Sequence, residues 1–366
     1  MPLVKHKPFD GLDARYRGNL ATSAWSLCVG AGVSFGLVPT WQELTRRVLN
    51  EAFGTTYDDT AFEGLIKSTR WSLDALLQGA ANKLVLLGRP DESFGEILEA
   101  GLYSDLLEQA NTAGLKNCLS DALNNPRWLR KDEVVRLTDY FERTYGGSTL
   151  VNLSRSLAES KEARKGPMAI INFNADTLLF ALLDLFLIRA HAGKIGKWEH
   201  PSFSFVRTLR GIDGLPSEAT PIFHCHGAVA PSPSGRLKKA KRRDSREHLV
   251  FTEADYLSIA GNVATWAQSL FLFHAQSSRL LIVGHSLSDP NIRKWLAWSL
   301  SSSLEEMASV SSAKEFTARH IWLARRPKDV MQRQIQEISL LHLGVRVCWV
   351  DDWEQIGGVF ENLLAL

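Results

Sequence analysis

Cysteine is scarce in this chain and never paired at a metal-binding spacing. The four present, Cys28, Cys118, Cys225 and Cys348, lie far apart along 366 residues, so no C-x-x-C pair offers ligands for a structural zinc. Three of them fall in apolar, strand-like runs, where a reduced, buried thiol is the ordinary state, and disulfides are not indicated. Long apolar runs are missing too. The strongest, Leu178 to Ile188, is interrupted by Asp184 and falls short of the ~20 residues a membrane-spanning helix needs. The first ten residues carry Lys5, His6 and Lys7 without an apolar stretch or a small-residue cleavage pattern, which argues against a secretory signal. A soluble, cytoplasmic, metal-free protein with no membrane partner is expected. An excess of charge of one sign is also lacking, except locally. Arg236 to His248 holds seven Lys and Arg against Asp244 and Glu247, a local +5 that leaves −3 over the rest of a chain whose formal total is +2.

What is present is an alternation of short apolar runs with longer helix-period segments, the pattern of an α/β protein with a parallel sheet covered on both faces. About six strands are expected, at Trp25 to Val29, Met168 to Phe173, Pro221 to Cys225, Leu280 to Gly284, His320 to Ala324 and Val345 to Val350. Most are nearly continuously apolar, as strands buried on both faces should be. Helix starts support the register: Thr40 and Glu43 form a capping-box pattern, Asp289-Pro290 sets a cap before a favoured first-turn proline, and Asp176-Thr177 precedes an apolar helix. A single domain is expected, with a core over residues 20–57 and 166–366. Residues 58–165 read as a helical insertion, from spacings such as Phe62, Leu65, Ile66 and Leu73, Leu76, Leu77. That length exceeds what a crossover needs, so it should form a cap or small subdomain beside the sheet.

The strongest local signal is Gly30-Ala31-Gly32-Val33-Ser34-Phe35-Gly36, directly after the first strand and just before Trp41. Glycines there would let backbone N–H groups approach a pyrophosphate, at the strand end where nucleotides bind in open α/β sheets. The spacing is not G-x-G-x-x-G, and no acidic residue closes a second strand about 20 positions on, so a hydride-transfer enzyme is disfavoured. Three further motifs end later strands: Asn172-Phe173-Asn174-Ala175-Asp176, His226-Gly227, and Gly284-His285-Ser286-Leu287-Ser288-Asp289-Pro290. In a parallel sheet these loops meet at one edge.

This ordered set resembles the sirtuin family, in particular the bacterial sirtuin-like NADase domains of anti-phage defence systems, from Gly30 to about Trp298. The resemblance implies a Rossmann-like NAD⁺ pocket in which Ala31, Gly32 and Ser34 contact NAD⁺, Asn174 and His226 form the catalytic pair, and Gly284 and Ser286 hold the adenosine side. Gly30, Asn172 and Asp289 sit in the same loops and Trp41 is a candidate pocket wall, which completes the cofactor-binding set. Asn172 stands where the family often has threonine. The missing cysteine pairs remove the zinc ribbon of the deacylating sirtuins, and with it much of the case for a protein-lysine substrate.

Cleaving the nicotinamide–ribose bond develops positive charge on the ribose and needs a water on the opposite face. Asn174 can orient ribose or water without adding charge, and His226 can accept a proton near neutral pH. Asp176 either stabilises the cation, fixes Asn174, or simply caps a helix. His224, which would share a strand face with His226, is read first as a structural histidine before an assisting one, and His285 is open between the same two roles. The expected activity is an NAD⁺ glycohydrolase yielding nicotinamide and ADP-ribose, the effector of an abortive-infection system. Such an enzyme needs restraint, so a homo-oligomer is expected, or a complex with an activating defence protein such as a HerA-type ATPase, an Argonaute-like protein or a nucleotide-processing subunit. A nucleotide sensor that binds without cleaving is the alternative, and a protein deacylase the third. Pro231-Ser232-Pro233-Ser234-Gly235 reads as an exposed flexible loop leading into the basic run, whose alternative to a solvated face is contact with nucleic acid or an acidic partner.

Overall fold

The computed structural model describes residues 3–5, 7–89, 91–191, 203–206, 215, 218–236, 249–261, 265–310 and 315–366. Among them lie ten strands: Leu3–Lys5 (β1), Phe9–Asp10 (β2), Trp25–Val29 (β3), Ile170–Asn172 (β4), Phe203–Val206 (β5), Thr220–His224 (β6), Arg279–Val283 (β7), Glu315–Thr317 (β8), His320–Arg325 (β9) and Val345–Val350 (β10). Eight form one sheet in the order β2-β10-β9-β7-β3-β4-β6-β5, with β1 and β8 paired separately. Every pairing is parallel. All six apolar runs of the sequence are strands of this sheet. The sheet exceeds the expected six through its two edges: β2, a two-residue strand in register with Cys348 and Trp349, and β5, alongside β6.

Thirteen helices accompany the strands among the described residues: Trp41–Phe53 (α1), Asp59–Thr69 (α2), Leu73–Leu86 (α3), Asp91–Thr112 (α4), Lys116–Asn124 (α5), Lys131–Tyr145 (α6), Thr149–Glu162 (α7), Leu178–His191 (α8), Glu253–Gly261 (α9), Trp266–Ser277 (α10), Pro290–Val310 (α11), Val330–Ile338 (α12) and Ile356–Leu364 (α13). None is long and apolar enough to cross a membrane. The two-residue period of a strand divides the core in two. Leu27, Val29, Ile170, Ile222, Leu281 and Val283 face one core, where α7, α8 and α13 pack. Cys28, Ile171, Phe223, Leu280 and Ile282 face the other, filled from α10 and α11 by Phe271, Trp295 and Leu296. All four cysteines are buried and free.

The caps named from sequence are made. Thr40 accepts from Glu43 N at 3.2 Å, Asp289 accepts from Asn291 N at 2.7 Å, and Asp176 accepts from Leu178 N at 3.0 Å.

The long helical connection packs beside the sheet: Phe62, Leu77, Tyr103, Leu119 and Phe141 belong to the same apolar cluster as Leu27 and Ile170. The cause is the faces offered by α1 and α8. The former takes α3 and α4, the latter α5, α6 and α7. One expectation is corrected: the Pro-Ser-Pro-Ser-Gly segment is not a free loop. Asn124 Nδ2 donates to Pro231 O at 2.8 Å, Ser232 N to Glu99 at 2.7 Å, and Ser234 N and Oγ to Asp121, both at 2.8 Å. Arg236, the first cation of the basic run, pairs with Asp121 at 2.7 Å and also with Glu133. The rest of that run, residues 237–248, lies outside the described residues.

Candidate functional site

The connection leaving β3 leads to β4, while that leaving β7 leads to β9 on the other side. A crevice therefore opens between the carboxyl ends of β3 and β7, the place where open α/β sheets bind ligands. A cleft of about 1020 Å³ occupies it. Its lining runs from His226 beyond β6, past Asn174 and Gly30, to Gly284, Ala324 and Trp353 beyond β10. Five strand spacings of ~4.8 Å make that edge about 24 Å long, enough for an extended dinucleotide.

Between β3 and β7 the wall is backbone. Gly30 N donates to Val283 O and Gly32 N to Gly284 O, both at 2.9 Å. A Cβ on Gly32 would lie 2.8 Å from Gly284 O. One on Gly284, whose φ is +70°, would lie 2.6 Å from Val33 N. These glycines thus serve first to let two strand-end loops touch. The N–H groups of Gly30 and Gly32 are spent on that contact. Gly30, Ala31 and Gly32 nevertheless face the cleft, as do Gly284, Ser286 and Asp289.

Between β4 and β6 the wall is side chain. Asn174 is buried, its backbone N–H held by Asn172 Oδ1 at 3.0 Å, and its Nδ2 donates to Ser34 Oγ at 3.4 Å. Ser34 Oγ in turn donates a hydrogen bond to Asp176 Oδ2 at 3.0 Å, so Asp176 both caps α8 and braces Asn174 through a serine. Burial raises the Asp176 carboxyl, and the bonds donated by Leu178 N and Ser34 oppose that rise. Asn174 Oδ1 has no hydrogen-bond partner among the described residues. A buried acceptor lacking a partner is costly, and this one belongs to a residue of the cleft wall, where a ribose hydroxyl or a water would satisfy it.

His226 stands across from this group. Its ring meets the edges of Phe173 at 5.0 Å and Tyr256 at 5.7 Å between centroids. Desolvation by these apolar neighbours lowers its pKa to about 4, so at neutral pH it is an uncharged acceptor. His285 meets the same Phe173 at 5.3 Å and is likewise lowered to about 4, first by burial. His224 bonds Asn174 O at 3.2 Å and stacks on Phe205 at 4.6 Å.

The cleft brings together Gly30, Ala31, Gly32, Trp41, Asn174, Asp176, His226, Gly284, Ser286 and Asp289 of the residues named from sequence. Ser34 and Asn172 are buried, bond Asn174, and are not among the residues that line the cleft. Trp41 is a wall, packed on Phe251 at 5.0 Å. The Phe251 to Tyr256 segment caps itself through Asp255 Oδ2, which accepts from Phe251 N at 3.1 Å and Thr252 N at 2.9 Å, and so presents Tyr256 to His226. Phe173 and His285 were legible as motif neighbours but not as wall. Among the described residues no cluster of His, Cys, Asp and Glu could hold a metal.

No curated protein matches the chain. Residues 169–347, just under half of it, match the family model described as SIR2-like domain. That stretch carries Asn174, His226 and Gly284, and the Gly30 to Trp41 segment lies outside it. Over residues 169–347 the chain is similar to the SIR2-like family, whose domains bind NAD.

Proposed function

We propose that this protein is an NAD⁺ glycohydrolase that releases nicotinamide and ADP-ribose. The observation that carries the reading is the convergence of Asn174 and His226, from two different strand ends, on one dinucleotide-sized cleft whose other end is formed by close-packed strand-end loops. Nicotinamide departs with the electrons of the C1′–N1 bond, and water adds at C1′. In this reading Asn174 Oδ1 accepts from the incoming water or a ribose hydroxyl, while Ser34 and Asp176 keep its amide turned correctly. His226, neutral at pH 7, takes the proton. Phe173, Tyr256 and Trp41 limit the bulk water that reaches the developing cation.

The resemblance to defence NADases further supports a role as the effector of an anti-phage system, held in check until a partner or self-assembly activates it. The direct experiment is chromatography of NAD⁺ incubated with the protein in its native assembly. Equal amounts of nicotinamide and ADP-ribose are expected. Saturable NAD⁺ binding with no nicotinamide under any condition would establish the sensor reading instead.

A further inference from the structure

Tyr103 belongs to α4, in the long connection between β3 and β4, yet its phenol ends beneath the two loops that carry Asn174 and His226. The side chain is buried. Its hydroxyl donates to Val229 O at 2.7 Å and accepts from Thr177 N at 2.9 Å. Thr177 and Val229 each follow their loop's key residue, Asn174 and His226, by three positions. The loops are already stitched nearer the sheet, by Cys225 N to Asn172 O at 2.8 Å and Val229 N to Ala175 O at 2.7 Å. The phenol closes the far end of the same seam, where one chain turns into α8 and the other runs on to residues 230–236. One turn earlier on α4, Glu99 holds Ser232 N at 2.7 Å, so the helix grips the outgoing segment twice.

Burial, with the Asp176 charge beside it, pushes the phenol well above its ordinary range. It stays protonated at neutral pH. What it supplies is geometry: a donor and an acceptor on one rigid ring, fixing the spacing of two backbones.

We propose that Tyr103 is a positioning residue that sets the separation of Asn174 and His226, which makes the helical connection a working part of the cleft. The proposal deepens the glycohydrolase reading and rests on it. The physical basis is that displacing a reacting group by about an ångström can cost on the order of a hundredfold in rate while the binding contacts survive.

The test is Tyr103→Phe, which removes one oxygen and keeps the ring. In the native assembly kcat should fall by about tenfold to a hundredfold, while KM for NAD⁺ and the Kd for ADP-ribose stay within about threefold. The ¹⁵N imidazole signals of His226, identified by their loss in His226→Ala, should shift and broaden. Incorporating 4-aminophenylalanine at Tyr103 retains the donor to Val229 O but weakens the acceptor for Thr177 N–H. It should give a kcat between the two, and it provides the reading if the phenylalanine variant does not fold. Unchanged kcat with unchanged imidazole signals would overturn the proposal, as would equal losses in kcat and in ADP-ribose affinity, which mark a merely structural residue. If the wild type releases no nicotinamide at all, the glycohydrolase reading fails, and the imidazole signals still report whether Tyr103 positions His226.

Discussion

Between β3 and β7 the cleft wall is made by backbone pressed on backbone, with Gly32 and Gly284 allowing the contact. Between β4 and β6 it is made by Asn174, Ser34, Asp176, His226 and Phe173. The first half has little shape to vary, because any added Cβ meets main-chain atoms. The second half depends on side chains whose orientation is held by other side chains. A fold that binds a dinucleotide across one half and performs chemistry in the other would divide its labour this way. Loss at the backbone half should appear as loss of the fold, and loss at the side-chain half as loss of turnover.

The largest stability effect should come from the backbone half. Gly284→Val meets Val33 N and Gly30 O within 2.7 Å and forces a β-branched residue to φ +70°, which should cost about 3 kcal/mol or more. Chemical denaturation, or failure of soluble expression, would show it. Gly32→Val should behave alike and not as a pure binding variant, since its side chain would strike Gly284. A well-folded Gly284→Val protein with weakened nucleotide binding would remove the distinction.

Ser34→Ala sits on the boundary. It deprives buried Asp176 of a hydrogen bond and Asn174 of its brace, so stability should drop by about 2 kcal/mol and turnover by about tenfold. Stability lost with full turnover retained would show that Asn174 needs no brace.

Away from the cleft, Arg236→Met should cost about 1–2 kcal/mol, because Asp121 is buried and loses its guanidinium while Arg236 itself is a third exposed. Urea unfolding measures this, and no change would restore the view of residues 231–236 as a free loop.

The smallest effect concerns pH. His226 is lowered to about 4 by burial, and in the proposed mechanism its neutral form is the active one. Cleavage should therefore hold through pH 6.5 and fall only as pH descends towards 4. The same depression in His224, His285 and His274 makes their stabilising contribution complete above 6.5 and progressively lost below it, so the thermal midpoint should decline between pH 6.5 and 4. An activity limb centred near 6.5 would place His226 in water.

The central strands were legible because burial on both faces leaves a run of apolar residues that no amphipathic helix would carry. The edges were not: Phe9–Asp10 is too short for any period, and Phe203–Val206 is recognised only by its pairing with β6. The site loops were legible because parallel strands must end on one edge. Which glycine atoms face the ligand was not, since the direction of a missing Cβ depends on the opposite strand. The loop after His226 was misread because its partners, Glu99, Asp121 and Asn124, lie more than a hundred residues earlier. Tyr103 carried no motif signal for the same reason.

In the proposed function, Asn174 and His226 perform chemistry on a nucleotide held by other groups. The most direct measurement is nicotinamide release by the wild type, Asn174→Ala and His226→Ala, with ADP-ribose binding measured alongside. The account predicts release by the wild type, a fall of about 10²–10⁴-fold in each variant, and ADP-ribose affinity retained in both. Undiminished release from either folded variant would contradict it.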